Sequence, residues 1–140
     1  MNFRISRARG LTLVELMVVL VVLVILASVA YPLYTEQAQR SRRADAKSGL
    51  ELIALAQERY YTVNGTYAVT MGSLSINGAT LTTTSDRGYY TLALSGGGQN
   101  FSATATPVGT NIQAGDSGCT QFSINQLGVH GSTGSSSNCW

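Results

Sequence analysis

The feature that most constrains this chain is an apolar run over residues 11–30, LTLVELMVVLVVLVILASVA. Of its twenty residues, only Thr12, Glu15 and Ser28 are not apolar. At about 1.5 Å of rise per residue, a helix of this length matches the roughly 30 Å hydrocarbon core of a bilayer. Valine and isoleucine are weak helix formers in water, but a single segment in lipid must satisfy its own backbone hydrogen bonds. The run therefore predicts one membrane-spanning helix.

Glu15 is the one ionisable residue inside this run. A charged side chain at the centre of a span costs about 2.5–3.5 kcal/mol on insertion scales, whereas each Leu, Ile or Val favours insertion by about 0.3–0.6 kcal/mol. The run holds fourteen residues of those three types, so it inserts with Glu15 present. Glu15 either lies near the end of the span and reaches the head groups, or it awaits a cation from another molecule. We favour the second interpretation because of the residues that precede it.

A short polar leader, MNFRISRARG, precedes the run. Gly10 followed by LTLVE resembles the cleavage site of type IV prepilins, in which prepilin peptidase cuts after the glycine and methylates the new amino terminus. The resemblance implies cleavage between Gly10 and Leu11 and N-methylation of Leu11, which stands where the family usually has phenylalanine. Glu15 then occupies the fifth mature position, where the family's glutamate stands, and the resemblance implies a role in assembly.

An ordinary secretory signal is the alternative interpretation of the same residues. Three leader arginines would form its basic region, and Ser28-Val29-Ala30 offers small residues of the kind that signal peptidase accepts. The mature chain would then begin at Tyr31 as a small secreted binding protein. Two features disfavour this alternative, because the run exceeds the usual ~7–15 residues of a signal core and contains a glutamate.

Beyond the run, the chain predicts a second stretch of helix and then a loop. Pro32 lacks a backbone donor and predicts a kink in the helix. A stripe at three- and four-residue spacing predicts an amphipathic helix that ends at Asn64-Gly65. Residues 65–88 are rich in Gly, Ser, Thr and Asn and predict a connecting loop with little regular structure. The stripe consists of Ala46, Leu50, Ile53, Gln57 and Tyr60.

Four strands are predicted after this loop, since short alternating runs of aromatic, threonine and apolar residues are separated by turn residues. They cover residues 89–94, 101–106, 119–124 and a short stretch around Val129, and residues 131–138 predict a Ser/Gly-rich loop. The predicted division is residues 1–10 as leader, 11–31 as span, 32–64 as helix, 65–88 as loop, and 89–140 as sheet with a C-terminal loop.

The segment RRADAKSGLELIALAQERYYTVNGTYA, the strand GYYTLAL and the terminal Cys-Trp are similar to the PilE-type minor pilins. The resemblance implies an α+β type IV pilin fold, with a long kinked helix packed on an antiparallel sheet of about four strands and a C-terminal disulfide loop. It implies a structural pilus subunit whose partners are other pilin subunits, met through the N-terminal helix, together with prepilin peptidase, the inner membrane and the pilus assembly platform. A major pilin or a type II secretion pseudopilin is the alternative within the superfamily.

The two cysteines, Cys119 and Cys139, favour a disulfide formed in an oxidising compartment. This places the head in the periplasm or outside the cell, and the resemblance to pilins implies the periplasm before assembly and the extracellular pilus afterwards. The competing interpretation is a metal site that adds His130 and Asp116 to the two cysteines. Neither the ligand spacing nor a second CxxC supports that site, so no metal and no cofactor is predicted.

Catalysis and nucleic-acid binding are both disfavoured by the charge distribution. Few titratable residues follow Arg59, so no acid–base pair or triad suggests itself. Without the leader the chain keeps six basic and seven acidic side chains. The charge cluster over residues 40–47 favours a solvated face, and beyond it the head offers only Arg59 and Arg87. Nucleic acid is therefore not predicted as a partner.

Five tyrosines are predicted to pack the helix onto the sheet with their hydroxyls at the rim, rather than to form a recognition surface. They are Tyr60, Tyr61, Tyr67, Tyr89 and Tyr90.

Overall fold

A computed structural model describes residues 12–140 of the chain. Gly10 and Leu11, the predicted processing site, lie outside the described residues. The chain divides into two compact units, one that ends at Gln37 and one over Ala38–Trp140. Each unit is described by itself below, and the second is called the head.

Helix α1 spans Leu13–Asn64, a length of 52 residues. At its start the Glu15 backbone N–H donates to Thr12 Oγ1 over 3.2 Å, as in an N-terminal cap. Pro32 lies inside the helix, and the kink expected there remains a prediction. The helix ends as predicted, because Gly65 adopts a φ of 71° and its N–H donates to the Tyr61 carbonyl over 2.8 Å.

The helix of the head buries the predicted stripe. Ala46, Leu50 and Gln57 are fully buried and Ile53 is nearly so, while Tyr60 is half-buried. Gly49 lies beside this stripe, and a Cβ at that position would meet Leu92 Cδ1 at 3.0 Å. The small residue therefore lets the sheet approach the helix closely.

Residues 65–88 contain more regular structure than the predicted loop. A 3₁₀ turn over Met71–Ser73 precedes strands β1, Ser75–Ile76, and β2, Ala79–Thr80, which pair as an antiparallel hairpin. Asn77 and Gly78 form its two-residue turn with φ values of 53° and 82°. This Asn-Gly pair is the usual signal for a tight hairpin, and the loop prediction missed it because the flanking strands are only two residues long.

A four-stranded antiparallel sheet follows, with strands in the order β3-β4-β5-β6. The strands are β3 Tyr90–Gly97, β4 Asn100–Pro107, β5 Gln121–Asn125 and β6 His130–Thr133. The predicted number of strands is confirmed. Strands β3 and β4 are longer than predicted, because their pairing continues to Gly97, which lies opposite Asn100. The α+β pilin architecture expected from the sequence is confirmed by the long helix, this sheet and the C-terminal disulfide.

The C-terminal loop is closed by a disulfide between Cys119 and Cys139. Both cysteines are buried, at 0% and 3% exposure. Gly134 lies against the same region, since a Cβ there would clash with the Gly118 carbonyl oxygen. The disulfide closes this loop, and the close approach to Gly118 leaves no room for a side chain at position 134.

We expect Cys119→Ser to lower the melting temperature of the head by roughly 15 °C. A disulfide closing a loop of this length contributes about 3 kcal/mol, and a domain of about 100 residues loses roughly 4–8 °C per kcal/mol. The measurement is the fluorescence of Trp140, the only tryptophan, during heating of the full chain in detergent. The same melting temperature with and without a reductant in the wild-type protein would contradict the prediction.

Candidate functional site

The apolar part of α1 carries the first predicted site residue. All described residues from Thr12 to Tyr34 are exposed, including Glu15. By length and composition α1 can cross a membrane, and residues 12–140 contain no second helix of that kind. Contiguous apolar surface of this extent marks a site of interaction with a membrane or with another protein. Glu15 is the only carboxylate between Leu13 and Tyr34.

A buried ion pair joins the helix of the head to the segment before β5. Arg43 donates from Nε and Nη2 to the two carboxylate oxygens of Asp116, over 2.7 and 2.8 Å. Asp116 also accepts from Gln113 Nε2 at 2.8 Å and from the Cys119 backbone N–H at 3.3 Å. With side-chain exposures of 11% and 2%, this pair is shielded from solvent.

A second buried carboxylate, Asp45, holds the segment before β3. It accepts hydrogen bonds from the Ser85 hydroxyl and from the backbone N–H groups of Arg87 and Tyr89. Arg43 and Asp45 are only 9% and 5% exposed. The prediction that residues 40–47 form a solvated face is therefore wrong for these two residues. Each finds a partner distant in sequence, which a charge pattern along one helix does not reveal.

Gln57 and an aromatic cluster connect the C-terminal part of α1 to the segment that follows it and to the sheet. Gln57 exchanges two hydrogen bonds of 2.9 Å with the backbone of Ala68. Tyr67 packs between Tyr61 and Phe101, with ring centroids at 4.6 and 5.0 Å. Its hydroxyl donates to Glu58 at the surface. This is the packing arrangement predicted for the tyrosines, with the hydroxyl at the rim.

Tyr90 is the tyrosine that departs from that arrangement. Its side chain is fully buried, and its Oη has no hydrogen-bond partner among residues 12–140. Burial raises the pKa of Tyr90 to about 12, an effect that nearby Gln113 partly offsets. Tyr90 therefore stays neutral at physiological pH and acts as a core residue.

The last residue, Trp140, is anchored from three sides. Its indole N–H donates to the Gly131 carbonyl over 2.7 Å. His130 stacks on its ring at a centroid distance of 4.0 Å, and Phe122 meets it edge-on at 5.9 Å. The His130 ring nitrogen Nε2 in turn lies 3.0 Å from a Glu51 carboxylate oxygen. The chain terminus is thus a fixed part of the head surface.

Lys47 lies beside this tryptophan. Its ammonium is 5.8 Å from the centre of the Trp140 ring. Burial, and secondly the charge of Arg43, lower the pKa of Lys47. Glu51, four residues further along the helix, is hydrogen-bonded to His130. Among residues 12–140, Lys47 forms no ion pair with a carboxylate.

The residues considered for a metal site are engaged in other ways. Cys119 and Cys139 form the disulfide, Asp116 binds Arg43, and His130 stacks on Trp140. Within residues 12–140, no group of three or more His, Cys, Asp or Glu side chains is arranged to hold a metal ion.

Comparison with known protein families agrees with this architecture. The family model "Type IV minor pilin ComP, DNA uptake sequence receptor" matches residues 32–123, well over half of the chain. The chain belongs to this family of type IV minor pilins. A model of the prokaryotic N-terminal methylation motif matches residues 5–31, which contain Gly10, Leu11 and Glu15. No curated protein matches the chain.

Solved structures that resemble this minor pilin include two type IV pilins. A type IV pilin from Shewanella oneidensis is 30% identical, with 73% of this chain and 97% of that chain covered and a TM-score of 0.49. The non-core minor pilin PilV of Neisseria meningitidis is 24% identical, with 74% and 94% covered and a TM-score of 0.54. The PilV likeness shows the same fold.

The resemblance to type IV pilins seen in the sequence is confirmed, and so is the minor-pilin class. As a member of the type IV minor pilins, the chain is a structural subunit rather than an enzyme, and such pilins associate with other pilin subunits in the pilus. The sequence reasoning missed Arg43, Lys47 and Trp140 as residues of an organised surface. One signal was present, since Arg43, Ala46 and Leu50 follow the same three- and four-residue spacing, which places Arg43 on the buried face.

Proposed function

We propose that this minor pilin is anchored in the inner membrane by the apolar part of α1, with its head in the periplasm, and later enters the pilus or its priming complex. Prepilin peptidase cuts between Gly10 and Leu11 and methylates Leu11. Glu15 then guides assembly. The observation that carries the proposal is an exposed apolar helix with one carboxylate near its start, inside a segment that matches the methylation motif. The pilus assembly platform receives the processed subunit.

Mass analysis of the amino terminus in purified filaments tests this proposal. We expect the first residue to be N-methylated Leu11, and we expect Gly10→Leu to leave an uncleaved, membrane-bound precursor. Ala8→Leu is the matched control, because it adds the same side chain to the leader without touching the residue before the cut. A mature chain that begins at Tyr31 would identify the segment as a secretory signal instead.

We propose DNA binding as a second function of the head. The family model that matches residues 32–123 is described as a DNA uptake sequence receptor. The small number of basic residues in the head did not favour nucleic acid as a partner in the sequence analysis. We give the family description more weight than that charge distribution. The head also holds an ammonium without a carboxylate partner, that of Lys47, and phosphate contacts supply most of the affinity in DNA binding.

Fluorescence anisotropy with a labelled DNA duplex and the full chain in neutral detergent tests the second function. We expect binding whose logarithmic affinity falls linearly with the logarithm of salt concentration, by about 0.9 for each phosphate contacted. A result of no binding at low salt would reject the DNA function and leave the assembly function untouched.

A further inference from the structure

The head contains a small pocket between α1 and the segment that leads into β3. Its volume is about 150 Å³. Ile53 of α1 and Leu92 of β3 belong to its apolar lining, and within the described part of the chain Asp86 is the one charged residue that lines it. An apolar cavity of this volume can hold a group as large as benzene. The pocket therefore has room for one aliphatic side chain.

An exposed apolar turn, residues 125–129, joins β5 to β6. Leu127 and Val129 are 77% and 56% exposed. Asn125 Oδ1 accepts hydrogen bonds from the backbone N–H groups of both residues, over 3.0 Å in each case. The Gly128 N–H donates to the Asn125 carbonyl over 2.9 Å. The apolar turn thus presents its side chains from an ordered backbone, so burying them in a partner costs little further ordering.

The pocket and the apolar turn lie at opposite edges of the sheet. The pocket adjoins β3 and the apolar turn leads into β6, and these are the two edge strands of the order β3-β4-β5-β6. Neighbouring strands lie about 4.8 Å apart, so the three steps between the edges amount to roughly 14 Å. Leu127 therefore cannot enter the pocket of its own chain.

We propose that the Leu127 side chain of one copy enters this pocket on a second copy of the chain that is anchored in the same membrane or filament. The proposal rests on the anchoring function proposed above. Residues 125–129 carry no charged side chain, so no carboxylate is brought against Asp86. Because the two surfaces differ, the contact is heterologous, and repeating it produces a ring or a helical filament.

The small contact area favours an anchored copy over a free protein as the occupant. Burying Leu127 and Val129 removes far less surface than the ~1,200–2,000 Å² of a stable complex. A soluble partner would therefore bind this pocket too weakly. Copies that share one membrane meet at a much higher effective concentration, at which a small contact is sufficient to select the neighbour and its orientation.

Cross-linking between two purified full-length variants in the same liposomes tests the contact. Gln126→Cys places a thiol on the apolar turn and keeps Leu127, and Thr82→Cys places a thiol at the exposed rim of the pocket. Both native cysteines are held in the disulfide, so a short bismaleimide reacts with the introduced thiols. Thr62→Cys is the matched control, since Thr62 is exposed on the same helix and does not line the pocket.

We expect a cross-linked dimer when Gln126→Cys and Thr82→Cys copies are mixed, and little product from either variant alone or from Gln126→Cys with Thr62→Cys. Adding Leu127→Ser to the Gln126→Cys copy should lower the yield on the order of tenfold, because one buried leucine is lost from the contact. Adding Ile112→Ser instead removes another exposed apolar side chain of the head and should leave the yield unchanged. Melting curves from Trp140 fluorescence confirm that each variant is folded.

The outcomes separate the contact from the anchoring on which it rests. Chains that float with the liposomes but give equal yields with Thr82→Cys and Thr62→Cys would overturn the contact and leave the anchor intact. Equal losses from Leu127→Ser and Ile112→Ser would show non-specific apolar association and would also overturn the contact. A dimer formed by Gln126→Cys copies alone would show a symmetric contact between turns, with the same consequence. Chains that do not float would refute the anchor, and the contact with it.

Discussion

Replacing Glu15 with alanine is expected to lower incorporation of the subunit into pili on the order of a hundredfold or more, while membrane insertion and cleavage continue. In a filament the apolar helices leave lipid and pack together, and in Glu15→Ala the Leu11 amino group would lie in that low-dielectric core without its carboxylate partner, which costs about 3–5 kcal/mol. The proposed cleavage after Gly10 creates one new cation, the amino group of Leu11. A neighbouring subunit shifted along the fibre can bring that amino group to Glu15.

Two further substitutions separate ion pairing from other roles of this residue. Glu15→Gln keeps the size of the side chain and the cap that Thr12 provides to the Glu15 N–H, but it removes the charge. We expect it to fail in assembly as Glu15→Ala does. Ser28→Ala is the control, because Ser28 already donates to the Ile25 carbonyl within its own helix and needs no partner from another subunit.

Immunoblots of sheared pili and of membranes measure the two steps separately. The melting temperature of the head should be the same in all three variants. Pili that contain Glu15→Ala subunits at the wild-type level would contradict the pairing, and Glu15 would then be a residue that only reaches the head groups.

Asp116→Ala is expected to destabilise the head by about 3–5 kcal/mol, the cost of leaving one partner of a buried ion pair unpaired. For a domain of this size the melting temperature should fall by roughly 15–25 °C. The loss includes the hydrogen bonds that Asp116 accepts from Gln113 and from the Cys119 backbone. The measurement is Trp140 fluorescence during heating of the full chain in detergent.

Asp86→Ala is the matched control, since it removes an exposed carboxylate from the same head and should change the melting temperature little. The double variant Arg43→Met with Asp116→Leu removes both charges from the buried site. It should recover part of the lost stability, because an apolar pair often replaces a buried ion pair without loss, whereas the Gln113 amide and the Cys119 N–H still lack the acceptor that Asp116 provided. An unchanged melting temperature for Asp116→Ala alone would show that the pair is not a source of stability.

Local signals in the sequence were sufficient for much of the fold. The helix end at Asn64-Gly65, the buried stripe through Leu50 and the number of strands all follow from short patterns, and the structure agrees with them. The hairpin at Asn77-Gly78 had its own local signal, which the short flanking strands obscured. Patterns within a few residues reflect backbone geometry and the period of the element, so they can be interpreted before any tertiary contact is known.

The candidate site residues also differ in whether short sequence patterns could predict them. Gly10, Leu11 and Glu15 stand in one short motif beside an apolar run, so the sequence alone sufficed to propose their roles. The surface around Lys47 and Trp140 was not foreseeable in this way, because 93 positions separate the two residues. Arg43 and Asp116, which form the adjoining ion pair, are separated by 73 positions. Charged residues at helical spacing are predicted to be exposed to solvent, because the pattern does not reveal a partner that is distant in sequence.

The sequence by itself determined the apolar helix of membrane-spanning length, the methylation motif and the family, because each depends on hydrophobicity and spacing within one contiguous segment. Only the tertiary structure decided which charges are buried and which remain available. It assigned Asp116 to Arg43 and Glu51 to His130, and it left Lys47 beside Trp140 without a carboxylate partner among residues 12–140. The physical reason is that electrostatic pairing depends on distance in space and on exclusion of water, and folding sets both by bringing remote segments together.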